Sequence, residues 1–236
     1  MNWQKKYIKK YYSPEKGWID GTTQFHNLCR GFISETSKVL EFGAGPSNKT
    51  SQFLSGISAE LVGLDVDLEV KENKFLSAAF TYDGSFFPFD AGTFDIVVSN
   101  YVMEHVAQPL LICKEISRVL KPGGVFIFRT PNFFHYVPIL SYFFPMGLAN
   151  WVRNLPDDAH DPYPTVYKFN SETKCREILN AAGFEIIELH LVEKEPSYGM
   201  KSRLLFFPMM AYERMVNATE KLRQFRVNIF CAAGKK

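Results

Sequence analysis

The chain has 236 residues, of which 46% are hydrophobic and 22% charged, so it carries material for a sizeable core and no signature of disorder. A net charge of +2 gives no general reason to expect nucleic acid as a partner. No run of about 18 uncharged apolar residues occurs, and MNWQKKYIKK lacks the apolar centre of a signal peptide, so no membrane span is expected. Cys29, Cys113, Cys175 and Cys231 lie far apart in apolar settings, without metal-ligand spacing, and fit reduced thiols in a soluble cytoplasmic protein.

In chain order, Lys5, Lys6, Lys9 and Lys10 among Tyr7, Tyr11 and Tyr12 read as the solvated face of a helix. Strands and helices then alternate, the pattern of a mostly parallel α/β sheet. Val39–Phe42 is the first predicted strand, followed by Leu61–Leu64, Ala79–Tyr82, Phe94–Ser99 and Val125–Arg129. A helix is predicted from Gln108 to Leu120, with Leu111, Ile112, Ile116 and Val119 at helical spacing, stopped by Pro122-Gly123-Gly124. Residues 131–169 are rich in proline and aromatics and read as an inserted cap. Phe133, Phe134, Tyr136, Tyr142, Phe143, Phe144 and Trp151 either pack it or enclose an aromatic or lipid-like molecule. Ser171 caps a helix that runs to Ala182 and stops at Gly183. Phe184–Val192 alternates as a strand, a helix lies near Met209–Leu222 within an additional helical segment over 204–222, and Val227–Ala232 closes the chain. Without repeats or a low-complexity linker, the whole of 1–236 reads as one domain.

The stretch VLEFGAGPSNKT, Val39 to Thr50, is a strand, a glycine turn and a helix start, and such a turn presents backbone N–H groups to an anion. It is not a P-loop, because Lys49-Thr50 lacks the preceding glycine. It departs from the dinucleotide pattern GxGxxG, because Asn48 stands at the third glycine. A third ligand is S-adenosylmethionine, whose carboxylate can use the turn while Glu41 receives its ammonium group. Asp65, 22 residues after Gly43, can accept from two ribose hydroxyls, which suits either nucleoside ligand and decides nothing alone.

Taken in order, VLEFGAGPS, VGLDVD, TYDGSFFPFDAGTFDIVVSNYVMEHV and ISRVLKPGGVFIFRTPN resemble the class I S-adenosylmethionine-dependent methyltransferases, in particular their small-molecule and quinone-pathway branch. The resemblance covers residues 36–132 well and the later strands loosely. It implies a Rossmann-like, seven-stranded, mostly parallel sheet with helices on both faces, closed by an antiparallel strand pair and carrying the cap. It implies that Gly43, Ala44 and Gly45 lie under the methionine portion and that Glu41 holds its amino group. Asp65 would bind the ribose and Val66 the adenine face; Asp83 and Gly84 would meet the adenine edge, and Asn100 and Tyr101 would stand beside the sulfonium. Residues 1–36 would form a helical lid, with Tyr11, Tyr12 and Trp18 over the cofactor. Quinone-pathway relatives that bind a metal carry an acid three residues before a Glu-His pair. Here Tyr101 takes that place before Glu104-His105, so no metal is expected. His105 and then His160 are the candidate bases, with His135 a further histidine of the cap. The acceptor is expected to be small or lipid-linked, with oxygen the preferred atom. The rival readings are a nicotinamide-dependent oxidoreductase and a silent binding subunit of the same fold.

Overall fold

The computed structural model describes residues 3–143, 164–196 and 202–236. Two helices, α1 (Trp3–Tyr11) and α2 (Gly21–Arg30), precede strand β1 (Lys38–Phe42). Then come α3 (Lys49–Ser55), β2 (Glu60–Asp65), β3 (Ala78–Thr81), β4 (Phe94–Asn100), α4 (Pro109–Val119) and β5 (Leu120–Pro131). The chain continues through α5 (Tyr136–Phe143), α6 (Glu172–Ala181), β6 (Phe184–Val192), α7 (Arg203–Asn217) and β7 (Asn228–Lys235). Among the described residues no helix is long and apolar enough to cross a membrane.

The seven strands lie in the order β3-β2-β1-β4-β5-β7-β6. The pairs β1–β2, β1–β4, β2–β3 and β4–β5 are parallel. The end of β7 meets the starts of its neighbours, with Lys236 N–H donating to Gly183 O and Lys235 Nζ to Leu120 O. Its beginning meets the end of β5, where Asn132 N–H donates to Val227 O, so β7 runs antiparallel in a mixed, mostly parallel sheet. Apart from Glu41, the strand interiors Val39–Phe42 and Ile96–Val98 are continuous buried apolar runs, as strands covered on both sides require.

Boundaries differ from the sequence pattern most at two elements, and β7 also runs on to Lys235, past the expected Ala232. β5 starts at Leu120, five residues before the predicted Val125, because Gly123 takes a positive φ of 75° and the strand passes through Pro-Gly-Gly with an irregular register against Phe94 and Ile96. α7 is Arg203–Asn217, not Met209–Leu222: Ser202 accepts from Leu204 N–H and starts the helix, which absorbs Pro208, and Glu220–Phe225 is a separate 3-10 turn.

The chain groups into two compact units. The larger comprises Phe25–Pro131, Pro164–His190 and Ile229–Lys236. Its core includes Phe42 against Tyr82 and Phe87, and Phe126 and Phe128 against Phe184 and Phe169. All four cysteines are free and buried in it, and burial pushes each thiol well above its ordinary pKa.

The smaller unit comprises Met1–Gln24, Asn132–Tyr163 and Leu191–Asn228. Trp3, Tyr7 and Tyr11 on one face of α1 pack against Phe206 of α7. Glu213, 1% exposed, accepts from Tyr12 O–H at 3.1 Å and Asn217 Nδ2 at 2.8 Å and pairs with Arg214 Nε at 3.3 Å. His135 is fully buried, and desolvation lowers its pKa to about 3, so it is neutral; Nδ1 accepts from Val137 N–H. Its Nε2 lies 3.6 Å from Glu193 Oε2, on a carboxyl that burial raises to about 8. Residues 144–163 of the expected cap, His160 and Trp151 among them, lie outside the described residues.

Candidate functional site

The site candidates of the larger unit gather at the ends of β1, β2 and β4. Gly43, directly after β1, has φ 76°, and a Cβ there would stand 2.1 Å from Val102 Cγ2, so both backbone and space demand glycine. Gly45 has φ 53°. Asn48, at the position of the missing third glycine, is the N-cap of α3: its Oδ1 accepts from Thr50 and Ser51 N–H and its Nδ2 donates to Ala44 O at 2.8 Å. Buried Asn73 reaches in from the 3-10 turn Leu68–Glu72 that follows β2, donating to Ser51 Oγ and Gly45 O. The sequence offers no signal for Asn73, since only the tertiary fold brings it to the turn.

These bonds change what the turn can hold. Gly43 and Ala44 N–H donate to Leu64 O, Gly45 N–H to Asp65 Oδ2, and Thr50 and Ser51 N–H to Asn48. The open anion cradle expected from the glycine pattern is therefore largely filled by the protein's own acceptors. What remains is negative. Glu41 is 3% exposed, its Oε2 has no hydrogen-bond partner among the described residues, and burial raises its pKa to about 8. The charge of Asp65 pushes the same way, while the Ser51 and Asn48 side chains pull it down. A buried carboxyl of this kind calls for a proton or a cation.

Asp65, at the end of β2, accepts from Gly45 N–H on one oxygen and Asp67 N–H on the other, which fixes the plane of its carboxylate. Val66 beside it is 46% exposed. Asp83 closes a local turn, with Oδ1 accepting from Ser85 N–H, Ser85 Oγ and Phe86 N–H, and these bonds hold its carboxyl below the usual range. Gly84 follows with φ 90° and open space where a Cβ would stand. Phe86 is exposed, with the Arg118 guanidinium 4.5 Å from its ring centre.

At the end of β4, Asn100 Nδ2 donates to Thr50 Oγ1 at 2.9 Å and Asn100 Oδ1 accepts from Arg129 Nε at 2.7 Å. Tyr101 has φ 59°, a strained conformation for this residue type; its N–H donates to Arg129 O and its ring lies 4.3 Å from the Arg129 guanidinium. His26 of α2 stacks on Phe53 at 4.1 Å, with Nε2 3.4 Å from Thr50 Oγ1. Thr50, Arg129 and His26 thus join a chain of contacts to Asn100 that no local sequence pattern signals.

His105 lies in a turn after β4, its N–H donating to Val102 O, and α4 begins only at Pro109. Its Nε2 is 4.0 Å from Oε1 of the buried Glu104. Glu104 is held from two sides: its Oε2 accepts from Thr130 Oγ1, and its carbonyl accepts from Val166 and Tyr167 N–H. The structure thus brings Glu41, the glycine turn and Asp65 together, and places Asn100 and Tyr101 on the neighbouring strand end. Among the described residues no group of three His, Cys, Asp or Glu could hold a metal ion.

Comparison with known proteins gives a family model described as a methyltransferase domain that matches residues 18–189. A ubiquinone biosynthesis O-methyltransferase of Burkholderia ambifaria is 26% identical over 190 residues, covering 76% of this chain and 74% of that protein. A demethylmenaquinone methyltransferase of Bacillus subtilis is 29% identical over 154 residues, covering 56% of this chain and 64% of that one. In fold the chain is similar to the solved YcgJ protein of Bacillus subtilis, with TM-score 0.58 and 17% identity over 90% of this chain and 98% of that one.

Proposed function

Because the chain belongs to the methyltransferase-domain family and is an S-adenosylmethionine-dependent methyltransferase, we propose that it methylates a small or lipid-linked acceptor, with oxygen the preferred atom. The observation that carries the cofactor's placement is the pairing of a buried, unpartnered Glu41 oxygen with a glycine turn whose N–H groups are already spent. That arrangement offers a pyrophosphate no free donor at Gly43, Ala44 or Gly45 and suits an ammonium group, so the residues present fit S-adenosylmethionine better than a dinucleotide.

In this reading Glu41 holds the amino group, and Gly43, Ala44 and Gly45 let the chain pass close beneath the methionine portion. Asp65, its plane fixed by two backbone donors, accepts from the ribose hydroxyls, and the exposed Val66 packs on the adenine. Asp83 keeps Oδ2 for the adenine amino group and Gly84 lets the backbone approach the ring. Asn100 and Tyr101, tied down by Arg129 and Thr50, line the space beside the sulfonium.

The cofactor supplies a methyl group already activated on a sulfonium. The chain's own contribution is alignment and exclusion of water, worth up to about 7–11 kcal/mol in favourable cases. For a hydroxyl acceptor, His105, beside the buried Glu104, is the candidate base, and His160 is the second candidate. Such a base adds roughly 10²–10⁴-fold. Oxygen is preferred because one relative is named an O-methyltransferase of ubiquinone biosynthesis.

Calorimetric titration with S-adenosylhomocysteine and separately with NAD, on the native protein and on Asp65→Ala, tests the reading. Heat with the homocysteine form that collapses in the variant is the expected result. Preference for NAD would mean that the turn has been misread.

A further inference from the structure

Beyond the methyl-transfer site, the smaller unit carries a surface that the proposed chemistry does not use. On α7, Leu204, Phe207, Pro208, Ala211 and Met215 are all exposed, Leu204 to 85%, Phe207 to 42% and Met215 to 53%. They recur at intervals of three and four residues and so form one stripe, roughly 16 Å long, on the side away from the buried Phe206, Glu213 and Val216. Isolated exposed apolar residues are ordinary, but an unbroken helical stripe marks an interaction surface.

The charges around it say what kind. Exposed Arg203 and Arg214 flank the stripe. Phe207 belongs to the stripe and also packs on Tyr7 and Tyr11, so α1 borders it, and α1 presents exposed Lys5, Lys6, Lys9 and Lys10. Neither helix exposes an acid: α1 has none, and the one acid of α7, Glu213, is buried and paired. Arg214 is the ionic partner of Glu213, and in a chain whose net charge is only +2 the four lysines and Arg203 are a local concentration of positive charge.

An apolar stripe bordered by lysine and arginine is the arrangement of a helix lying in a membrane interface. We infer that α1 and α7 dock this protein on an anionic lipid surface, with the stripe entering the headgroup boundary and the lysines meeting lipid charge. A second copy of the chain fits less well, since a two-fold contact would set the same cations against each other.

The test is flotation of the full chain with vesicles of phosphatidylcholine alone and of phosphatidylcholine mixed with phosphatidylglycerol, at low and high salt. Binding to the mixed vesicles alone, falling as salt rises, is expected. Each lysine near such a surface is worth about fivefold in partitioning, so Lys9→Gln with Lys10→Gln should weaken binding about 25-fold. Leu204→Glu, a change at a largely exposed side chain, should abolish it. Unchanged melting temperature and unchanged S-adenosylhomocysteine binding in both variants separate this result from misfolding and from failure of the methyltransferase site. No binding to any vesicle, equal binding to neutral vesicles, or a self-associated form in ultracentrifugation that Leu204→Glu dissolves would each overturn the inference.

Discussion

Two glutamates, one in each compact unit, are buried to nearly the same degree and kept for different ends. Glu213 in the smaller unit has partners on both oxygens: Tyr12, Asn217 and Arg214. Glu41 in the larger unit has an oxygen with none among the described residues, and its carboxyl is pushed up to about 8. The first is a cross-link between α1's trailing end and α7. The second costs the fold something and is repaid only when a proton or a cation arrives. Burial alone therefore does not mark a functional acid; the count of satisfied lone pairs does.

The sharpest way to break that contrast is to remove both acids. Glu213→Ala strands Tyr12 O–H and Asn217 and frees Arg214, and should cost about 3 kcal/mol in urea unfolding. Glu41→Gln should leave stability nearly unchanged near pH 4 and raise it at neutral pH, where the native carboxyl is costly to keep, while weakening S-adenosylhomocysteine roughly 10–100-fold by calorimetry, the loss of one charge-assisted bond. If Glu41→Gln unfolded the protein as Glu213→Ala does, the contrast would fail.

The pH dependence sharpens it further. A carboxyl raised from its ordinary range to about 8 in the folded state gives stability that is fully present below the unfolded pKa and is lost as pH rises through the folded one. Stability should therefore fall between about pH 4.5 and 8, by up to about 1.4 kcal/mol per pH unit for each such group. Glu193, also raised to about 8, acts in the same direction, so Glu41→Gln should flatten the slope without abolishing it. Homocysteine-form binding at neutral pH should release a proton, read from titrations in buffers of different ionisation heat. The smallest effect concerns the turn: Asn48→Ala should cost about 1 kcal/mol, the loss of a helix cap, where Asn48→Gly should cost less.

Much of this was legible in the sequence, for physical reasons. Parallel strands covered on both sides must be continuous apolar runs, so β1 and β4 announce themselves. The glycines and acids of the site sit at strand ends, where chain order and spacing alone align them. Arg129, Thr50, His26 and Asn73 were not legible, because each reaches the site through packing between segments distant along the chain. The early start of β5 was hidden by Pro-Gly-Gly, which reads as a turn. The filled N–H groups of the turn were hidden too, since a glycine pattern says where donors point and not what already accepts from them.

All four thiols belong to the larger unit, and the smaller unit contains no cysteine. Buried and held protonated, they react with an alkylating reagent only when the structure around them opens. Their labelling rate is thus an internal clock for that unit alone. A perturbation confined to the smaller unit, such as Glu213→Ala, advances this clock only to the extent that the two units open together, so the chain carries its own gauge of how cooperatively it unfolds.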